Sequence, residues 1–169
     1  QEKIESIKSH FNVIFDFLKT TKLKRIWISP NNDTGSVIVK SEFLKKRTKD
    51  DFIFDNLSRK DYLTFLCNAN FILGNSSSGI LESSTFKTPC INIGYRQNGR
   101  IRAKNVLDIP NPSKKKLMKA FLTINSKKFK KHVSNLKNPY GDGKSSKKIV
   151  NILSKIKIDD KLMFKKLTY

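Results

Sequence analysis

The apolar positions of the chain change period several times, and each change marks an element. Residues 2–20 place Ile4, Ile7, Phe11, Ile14 and Leu18 at helical spacing, one apolar stripe on an otherwise charged segment. "LKRIWIS", residues 23–29, follows as a short buried strand, and "PNNDTGS" breaks it with proline, asparagine and glycine before a second helix that runs to about Lys46. "DFIF" has the pattern of a strand buried on both faces, and Ser58 with Asp61 three residues later opens a helix carrying Tyr62, Phe65 and Leu66. "NFILG" is the next strand, followed by a serine-rich loop and a short helix, then "CINIG" and, after a charged loop, "NVLDI". Ser113 and Ser126 are placed to cap two further helices. "GDGKSSKKIVNILSKI" starts a last one after a glycine turn, with Ile149, Ile152, Leu153 and Ile156 on one face.

Strands alternating with helices predict an α/β fold, a mostly parallel, doubly wound sheet with right-handed crossovers. Such sheets bind ligands beyond the carboxyl ends of their strands. Four loops fall on that edge. "SPNNDTGS" follows the first strand and "FDNLS" the second, while "FILG" delivers Asn75, Ser76 and Ser77, and "GYRQNGRIRAKN" brings Arg96, Arg100 and Arg102, half of the six arginines. Serine hydroxyls, the unpaired N–H groups of a helix start and guanidinium groups on one rim suit a diphosphate. Glu82, about one turn into the helix that begins at the serines, is within reach of a sugar on that phosphate, where ribose hydroxyls would donate to it. The plainer alternatives are that Ser76, Ser77 or Ser78 only caps the helix and that Glu82 only complements its dipole.

Composition narrows the partners. A length of 169 residues suits one domain, at most two small ones. No stretch approaches the length of a membrane span and the N-terminus is polar, which predicts a soluble, cytoplasmic protein with no membrane partner. Cys67 and Cys90 lie in apolar contexts without metal-ligand spacing, so both are expected as free thiols in the core, and no metal or cofactor motif is read. Lys and Arg number 35 against 14 acidic residues, a net charge of +21 that suggests a polyanion partner. Yet the lysines are scattered over nearly every segment, with no basic stripe interleaved with aromatics, so the charge reads as a lysine-rich surface and not as a nucleic-acid footprint.

Residues 73–106, "LGNSSSGILESSTFKTPCINIGYRQNGRIRAKNV", resemble the C-terminal nucleotide-binding half of the hydrolysing UDP-N-acetylglucosamine 2-epimerases. "SPNNDTGS", "LCNANFILGNSSSG" and "NPYGDGKSSKKIV" are similar to further stretches of that family in the expected order, so the likeness spans residues 30 to about 150. The resemblance implies a Rossmann-like C-terminal half of a GT-B fold, with UDP held in its cleft. It implies that Ser76 and Ser77, beside Asn75, hold the diphosphate and Glu82 the ribose. Arg96 and Asn31 would line the nucleotide and phosphate pocket, and backbone from Phe54 through Asn56 to Leu57 would meet the uracil.

It implies also a reaction in which UDP leaves as C2 loses a proton, giving a glycal that water converts to N-acetylmannosamine, a precursor of sialic-acid-type sugars. Its acid and base carboxylates belong to an N-terminal domain, and a first strand with a histidine-containing loop precedes the helix that here begins at residue 2. None of these is present. His10 and His132 are expected at the surface, and no catalytic residue is assigned. The chain therefore reads as a C-terminal fragment, with residues 1–157 as the UDP-binding domain and 158–169 as a tail or docking helix. The expected partners are a UDP-sugar, either UDP-N-acetylglucosamine or a 2,4-diacetamido relative, and the missing N-terminal domain, with homo-oligomerisation left open. The donor half of a UDP-sugar glycosyltransferase and a basic polyanion-binding module are the rival readings.

Overall fold

A computed structural model describes residues 4–29 and 36–164. Asn31 and the rest of "PNNDTG" lie outside the described residues. All five expected strands are present: β1 Arg25–Ile28, β2 Asp51–Phe54, β3 Ile72–Gly74, β4 Cys90–Ile93 and β5 Val106–Ile109. Every pairing among them is parallel, in two ladders ordered β1-β2 and β3-β4-β5. α1 Ile4–Lys19, α2 Ser36–Lys46, α3 Arg59–Asn68, α4 Ser78–Leu81, α5 Lys114–Asn125 and α6 Lys127–Ser134 alternate with and follow them. These elements belong to a unit spanning Gln1–Pro139; a second unit, Tyr140–Tyr169, holds α7 Ser145–Leu153 and α8 Asp160–Met163. α7 stops at Leu153, so Ile156 lies just past the turn that ends it, with its N–H still bonded to Ile152 O at 3.0 Å.

The caps follow the sequence. Ser58 accepts from Asp61 N, Ser113 from Lys116 N and Ser126 from Phe129 N, each filling one of the donors that a helix start leaves open. The core of the first unit has two clusters. Phe17 and Leu18 of α1 pack with Ile91 and Ile93 of β4, Ile109 of β5 and Leu117 and Ile124 of α5. Phe11 and Phe15 of α1 meet Phe43 of α2, and the Phe15 ring stacks on Trp27 of β1 with centroids 5.4 Å apart. All four residues of β4 are buried, as a strand covered on both faces requires.

An ion pair closes the amino edge of the first ladder. Asp51 accepts from Arg25 Nε at 2.6 Å and Nη2 at 2.9 Å, and from Trp27 Nε1 at 2.6 Å. Burial works to raise this carboxyl, but the bonds from Arg25, the Thr48 backbone, Trp27 and the Thr48 hydroxyl outweigh it and hold it below the usual carboxylate range.

One expectation fails here. Cys90 is buried in β4, but Cys67 is exposed. α3 buries Leu66, and a step of one residue turns the next side chain about 100° around the helix, toward solvent.

Candidate functional site

The rim of the β3-β4-β5 ladder is built by two glycines. The chain leaves β3 through Gly74, φ +147°, and β4 through Gly94, φ +75°, conformations that only glycine adopts without strain. Each turns the following loop out over the carboxyl edge, and the two loops meet: Gln97 Nε2 donates to the Asn75 carbonyl at 2.8 Å.

α4 starts at once after the first loop. Ser77 is its N-cap residue, but with helical φ and ψ and no side-chain capping bond, while Ser76 Oγ accepts from Ser78 N at 3.4 Å. Plain capping therefore accounts for little of the serine cluster. Ser76 is exposed, Ser77 half-buried, and the Ser78 hydroxyl pairs with Tyr62 OH of α3. That phenol is raised above its ordinary pKa, first by burial and further by the Glu82 charge, against the Ser78 bond and Arg59, which lower it.

α4 sits directly on the sheet. A Cβ at Gly79 would lie 2.7 Å from Cys90 Sγ, so glycine is needed for the close approach. The Cys90 thiol is pushed up to about 12, chiefly by burial, and is a packing group.

Glu82 is the C-cap of this one-turn helix and does not lie within it as expected. A carboxylate gains nothing from the helix dipole at that end, so the dipole reading loses its basis. Instead Glu82 pairs with Arg59 at the start of α3, Nη1 to Oε1 2.9 Å. The loop before α3 is thereby tied to the serine loop. In it Asn56 Oδ1 accepts from Leu57 N at 2.9 Å, and Phe54, half-buried at the end of β2, rests against Phe65 with centroids 5.9 Å apart. Asp55 beside them accepts from Lys40 Nζ at 2.8 Å and Ser29 Oγ at 2.9 Å, and the Lys40 bond above all keeps its carboxyl below the ordinary range.

The arginines divide. Arg96 and Arg100 are exposed in the loop after β4. Arg102, expected with them on the rim, turns inward: its Nε lies 2.7 Å from Asp108 Oδ2, and its Nη2 and Nη1 donate to the carbonyls of Gln97 and Arg100. Asp108 also accepts from Asn92, buried at the centre of β4, at 2.7 Å. Arg102 is a brace, and the contacts Asn92–Asp108–Arg102–Gln97–Asn75 run from the sheet to the serine loop. Sequence reasoning missed Gln97, Arg59 and Tyr62. For Arg59 the only signal was its place next to the capping Ser58.

Of the expected site residues, Asn75, Ser76, Ser77, Glu82 and Arg96 thus sit on elements that touch, joined through Gln97 and Arg59, and Phe54, Asn56 and Leu57 lead into Arg59. Asn31 lies outside the described residues. The family model for UDP-N-acetylglucosamine 2-epimerase matches residues 1–154.

The chain belongs to this family.

Among its relatives, the UDP-N,N'-diacetylbacillosamine 2-epimerase (hydrolyzing) of Legionella pneumophila is 32% identical over 97% of this chain and 42% of its own length. The GDP/UDP-N,N'-diacetylbacillosamine 2-epimerase (hydrolyzing) of Campylobacter jejuni is 39% identical over 69% of the chain and 30% of its own length. The structure is similar to that of the Methanocaldococcus jannaschii UDP-GlcNAc 2-epimerase in complex with UDP-GlcNAc and UDP, with a TM-score of 0.66 at 25% identity over 90% of this chain and 41% of that one. The Staphylococcus aureus MnaA–UDP structure, at 22% identity and a TM-score of 0.69, shares the fold. The chain thus covers between 30% and 42% of the length of these proteins, and its fold is the doubly wound, Rossmann-like half of the GT-B architecture. Among the described residues no helix is long and apolar enough to cross a membrane.

Proposed function

We propose that this chain is the UDP-holding part of a hydrolysing UDP-sugar 2-epimerase of the cytoplasm. In this reading Ser76 and Ser77, beside Asn75, hold the diphosphate, Arg96 and Asn31 line it, Glu82 accepts from the ribose hydroxyls, and backbone from Phe54 through Asn56 to Leu57 meets the uracil. The observation that carries it is the linkage of three loops, through Gln97–Asn75 and Arg59–Glu82, around a Ser77 hydroxyl that makes no capping bond.

The chemical contribution is to the leaving group. As UDP departs, negative charge builds on its β-phosphate, and donors already in place lower that barrier by about 3–4 kcal/mol each in well-characterised cases. Ser76, Ser77 and Arg96 would be those donors. Proton removal at C2 and protonation of the glycal have no candidate here, so residues 1–169 alone release no UDP. In this reading residues 1–157 form the UDP-binding domain and 158–169 a tail or a docking helix, and the acid and base belong to an N-terminal domain.

The sugar is a UDP-linked 2-acetamido or 2,4-diacetamido hexose, as the names of the family and of the two hydrolysing relatives support. Titration calorimetry of UDP, uridine and pyrophosphate tests the site. Arg96→Ala is expected to weaken UDP more than uridine, whereas Glu82→Gln weakens both and spares pyrophosphate. Ser77→Ala costs about 1.5–3 kcal/mol if the site is dry. Equal UDP binding by wild type and all three variants refutes the assignment, and a steep salt dependence with no preference for UDP would favour a general polyanion binder.

A further inference from the structure

A second cleft lies away from the serine rim. It opens between residues 102–104, just before β5, and the segment that runs from His132 in the last turn of α6 to Pro139. Val106 N donates to Ala103 O at 3.2 Å, which sets the first wall at the amino end of β5, whereas the serine loop leaves the carboxyl end of β3 in the same parallel ladder. The cleft measures about 380 Å³, within the roughly 300–1,000 Å³ of small-molecule sites.

Arg102, Lys104, His132 and Lys137 line it, and no acidic residue does. The charge of Arg102 is committed to Asp108. The C-terminal pole of α6 attracts cations, which accounts for His132, but that pole is already met by Lys87 from the turn after α4, whose Nζ donates to the Leu136 carbonyl. Lys87 holds φ +59°, a left-handed conformation that a residue other than glycine enters at a cost and that recurs at ligand clamps. Lys104, on the opposite wall, and Lys137, beyond the helix, have no such structural reason. Both are exposed, and they flank the cleft with no counter-charge in its lining.

Both walls are tied to the serine loop. On one side Arg102 Nη2 donates to the Gln97 carbonyl at 3.0 Å, and Gln97 Nε2 donates to the Asn75 carbonyl at 2.8 Å. On the other, Asn138 Nδ2 donates to the Leu81 carbonyl at 2.9 Å and to Thr85 Oγ1 at 2.7 Å. Asn75 precedes the serines and Leu81 ends α4. The two walls therefore hold the two ends of the one segment that carries Ser76 and Ser77.

We propose that this cleft binds a small phosphorylated sugar, of the size and charge of a hexose phosphate, and that its occupancy tightens the serine rim. The ammonium groups of Lys104 and Lys137 and a ring N–H of His132 hold the phosphate as charge-assisted donors. A bare phosphate would leave most of the volume to water, whereas a hexose fills it, its hydroxyls on the Asn135 amide and its carbon face on Leu136 and Pro139. An anion held between the walls restrains Gln97 and Asn138 together, so that a nucleotide binding next has less of the loop to order. The cleft stands without the UDP reading; only this coupling rests on it.

The probe is glucose 6-phosphate, with glucose and inorganic phosphate as comparisons, added to the 169-residue chain at about 0.15 M salt, which screens diffuse attraction to a surface of net charge +21. The two histidines, His132 in the cleft and His10 on α1, are the reporters. The ring-proton NMR signals of His132, assigned with His132→Gln, are expected to shift saturably while those of His10 stay in place. Lys104→Ala with Lys137→Ala weakens binding about tenfold or more, as loss of two charge-assisted bonds does, whereas Lys45→Ala with Lys119→Ala, an equal loss of exposed charge elsewhere, leaves it unchanged. UDP binds about threefold tighter or more with the cleft filled, and glucose 6-phosphate gains the same factor from UDP. The site is overturned if both histidines respond alike, if neither responds, or if the two lysine pairs lose equally. Inorganic phosphate binding as tightly as glucose 6-phosphate overturns the sugar-phosphate assignment, and UDP affinity unchanged or lowered by the filled cleft overturns the coupling. A His132 response without any UDP binding leaves the cleft standing and removes the UDP reading, with the coupling that rests on it.

Discussion

Gly79→Ala tests whether the seat of α4 on β4 sets the geometry of the serine loop. The added Cβ would lie 2.7 Å from Cys90 Sγ and 3.8 Å from Ile72 Cγ2. Carbon and sulfur pack at no less than about 3.5 Å, so the first contact overlaps by nearly 1 Å while the second is ordinary. Overpacking of this kind costs about 1–3 kcal/mol, and the gain of alanine over glycine in a helix, about 0.5–1 kcal/mol, offsets part of it. The net loss is about 1–2 kcal/mol, a drop of roughly 0.5–1 M in the urea midpoint for a chain of this size.

Cys90→Ala removes the clashing atom. In that background Gly79→Ala should be neutral or stabilising, which gives a coupling of about 1–3 kcal/mol in the double-mutant cycle. Cys90→Ser keeps an atom at the γ position and should not rescue. UDP affinity follows the same pattern, because α4 carries Ser78 and starts from Ser77. If Gly79→Ala unfolds at the wild-type urea concentration, or if Cys90→Ala fails to restore it, α4 does not sit on Cys90 as described and the packing argument is wrong.

Three further outcomes are expected. Cys67 reacts with a thiol reagent at pH 8 in the folded chain while Cys90, buried and with its thiol pushed up to about 12, does not; denaturation exposes both, and two fast thiols in the native chain would contradict the placement. The depressed Asp51 carboxyl binds its proton more weakly folded than unfolded. Its stabilisation is therefore complete above the ordinary carboxylate range and is lost as pH falls through that range and below, and Asp51→Asn, which strands a nearly buried Arg25 at a cost of about 3–5 kcal/mol, should flatten this acid limb of a urea-midpoint profile. Gln97→Leu removes the bond to the Asn75 carbonyl and should weaken UDP binding by several fold, with the urea midpoint changed by no more than the roughly 1 kcal/mol of one hydrogen bond; unchanged UDP affinity would mean that the brace does not position the serine loop.

The strands were legible because each is a short apolar run ended by turn residues, and a parallel, doubly wound sheet follows from their alternation with helices. Capping serines at 58, 113 and 126 were legible for the same local reason. What escaped depends on contacts between segments. Arg96, Arg100 and Arg102 look alike within one loop, and only Asp108 on β5 decides that Arg102 turns inward. Cys67 follows a leucine and so looks buried, although the helix turns it outward. The extent of α4 was misjudged because the turn after it continues the serine-rich composition without a break, leaving Glu82 at the end of the helix and not inside it. The division into two ladders was invisible in any single strand, because each is a short apolar run whichever neighbour it pairs with.

The Arg59–Glu82 pair bears on how the rim meets a ligand. A carboxylate has about four acceptor sites, and one guanidinium nitrogen occupies one of them. Two ribose hydroxyls can therefore share Glu82 with Arg59 and need not displace it. Arg59 is mostly exposed, and such a pair is worth about 0.2–1 kcal/mol, enough to bias the Glu82 rotamer toward the rim without locking it. Arg59→Ala should on this argument weaken UDP and uridine alike, by up to about fivefold at low salt, and the difference from wild type should shrink as salt screens the pair. Competition would give the opposite sign: if Arg59 occupied the place of the ribose, its removal would free Glu82 and tighten uridine. Tighter uridine binding by Arg59→Ala would thus show that the pair is a plug on the site and not its support.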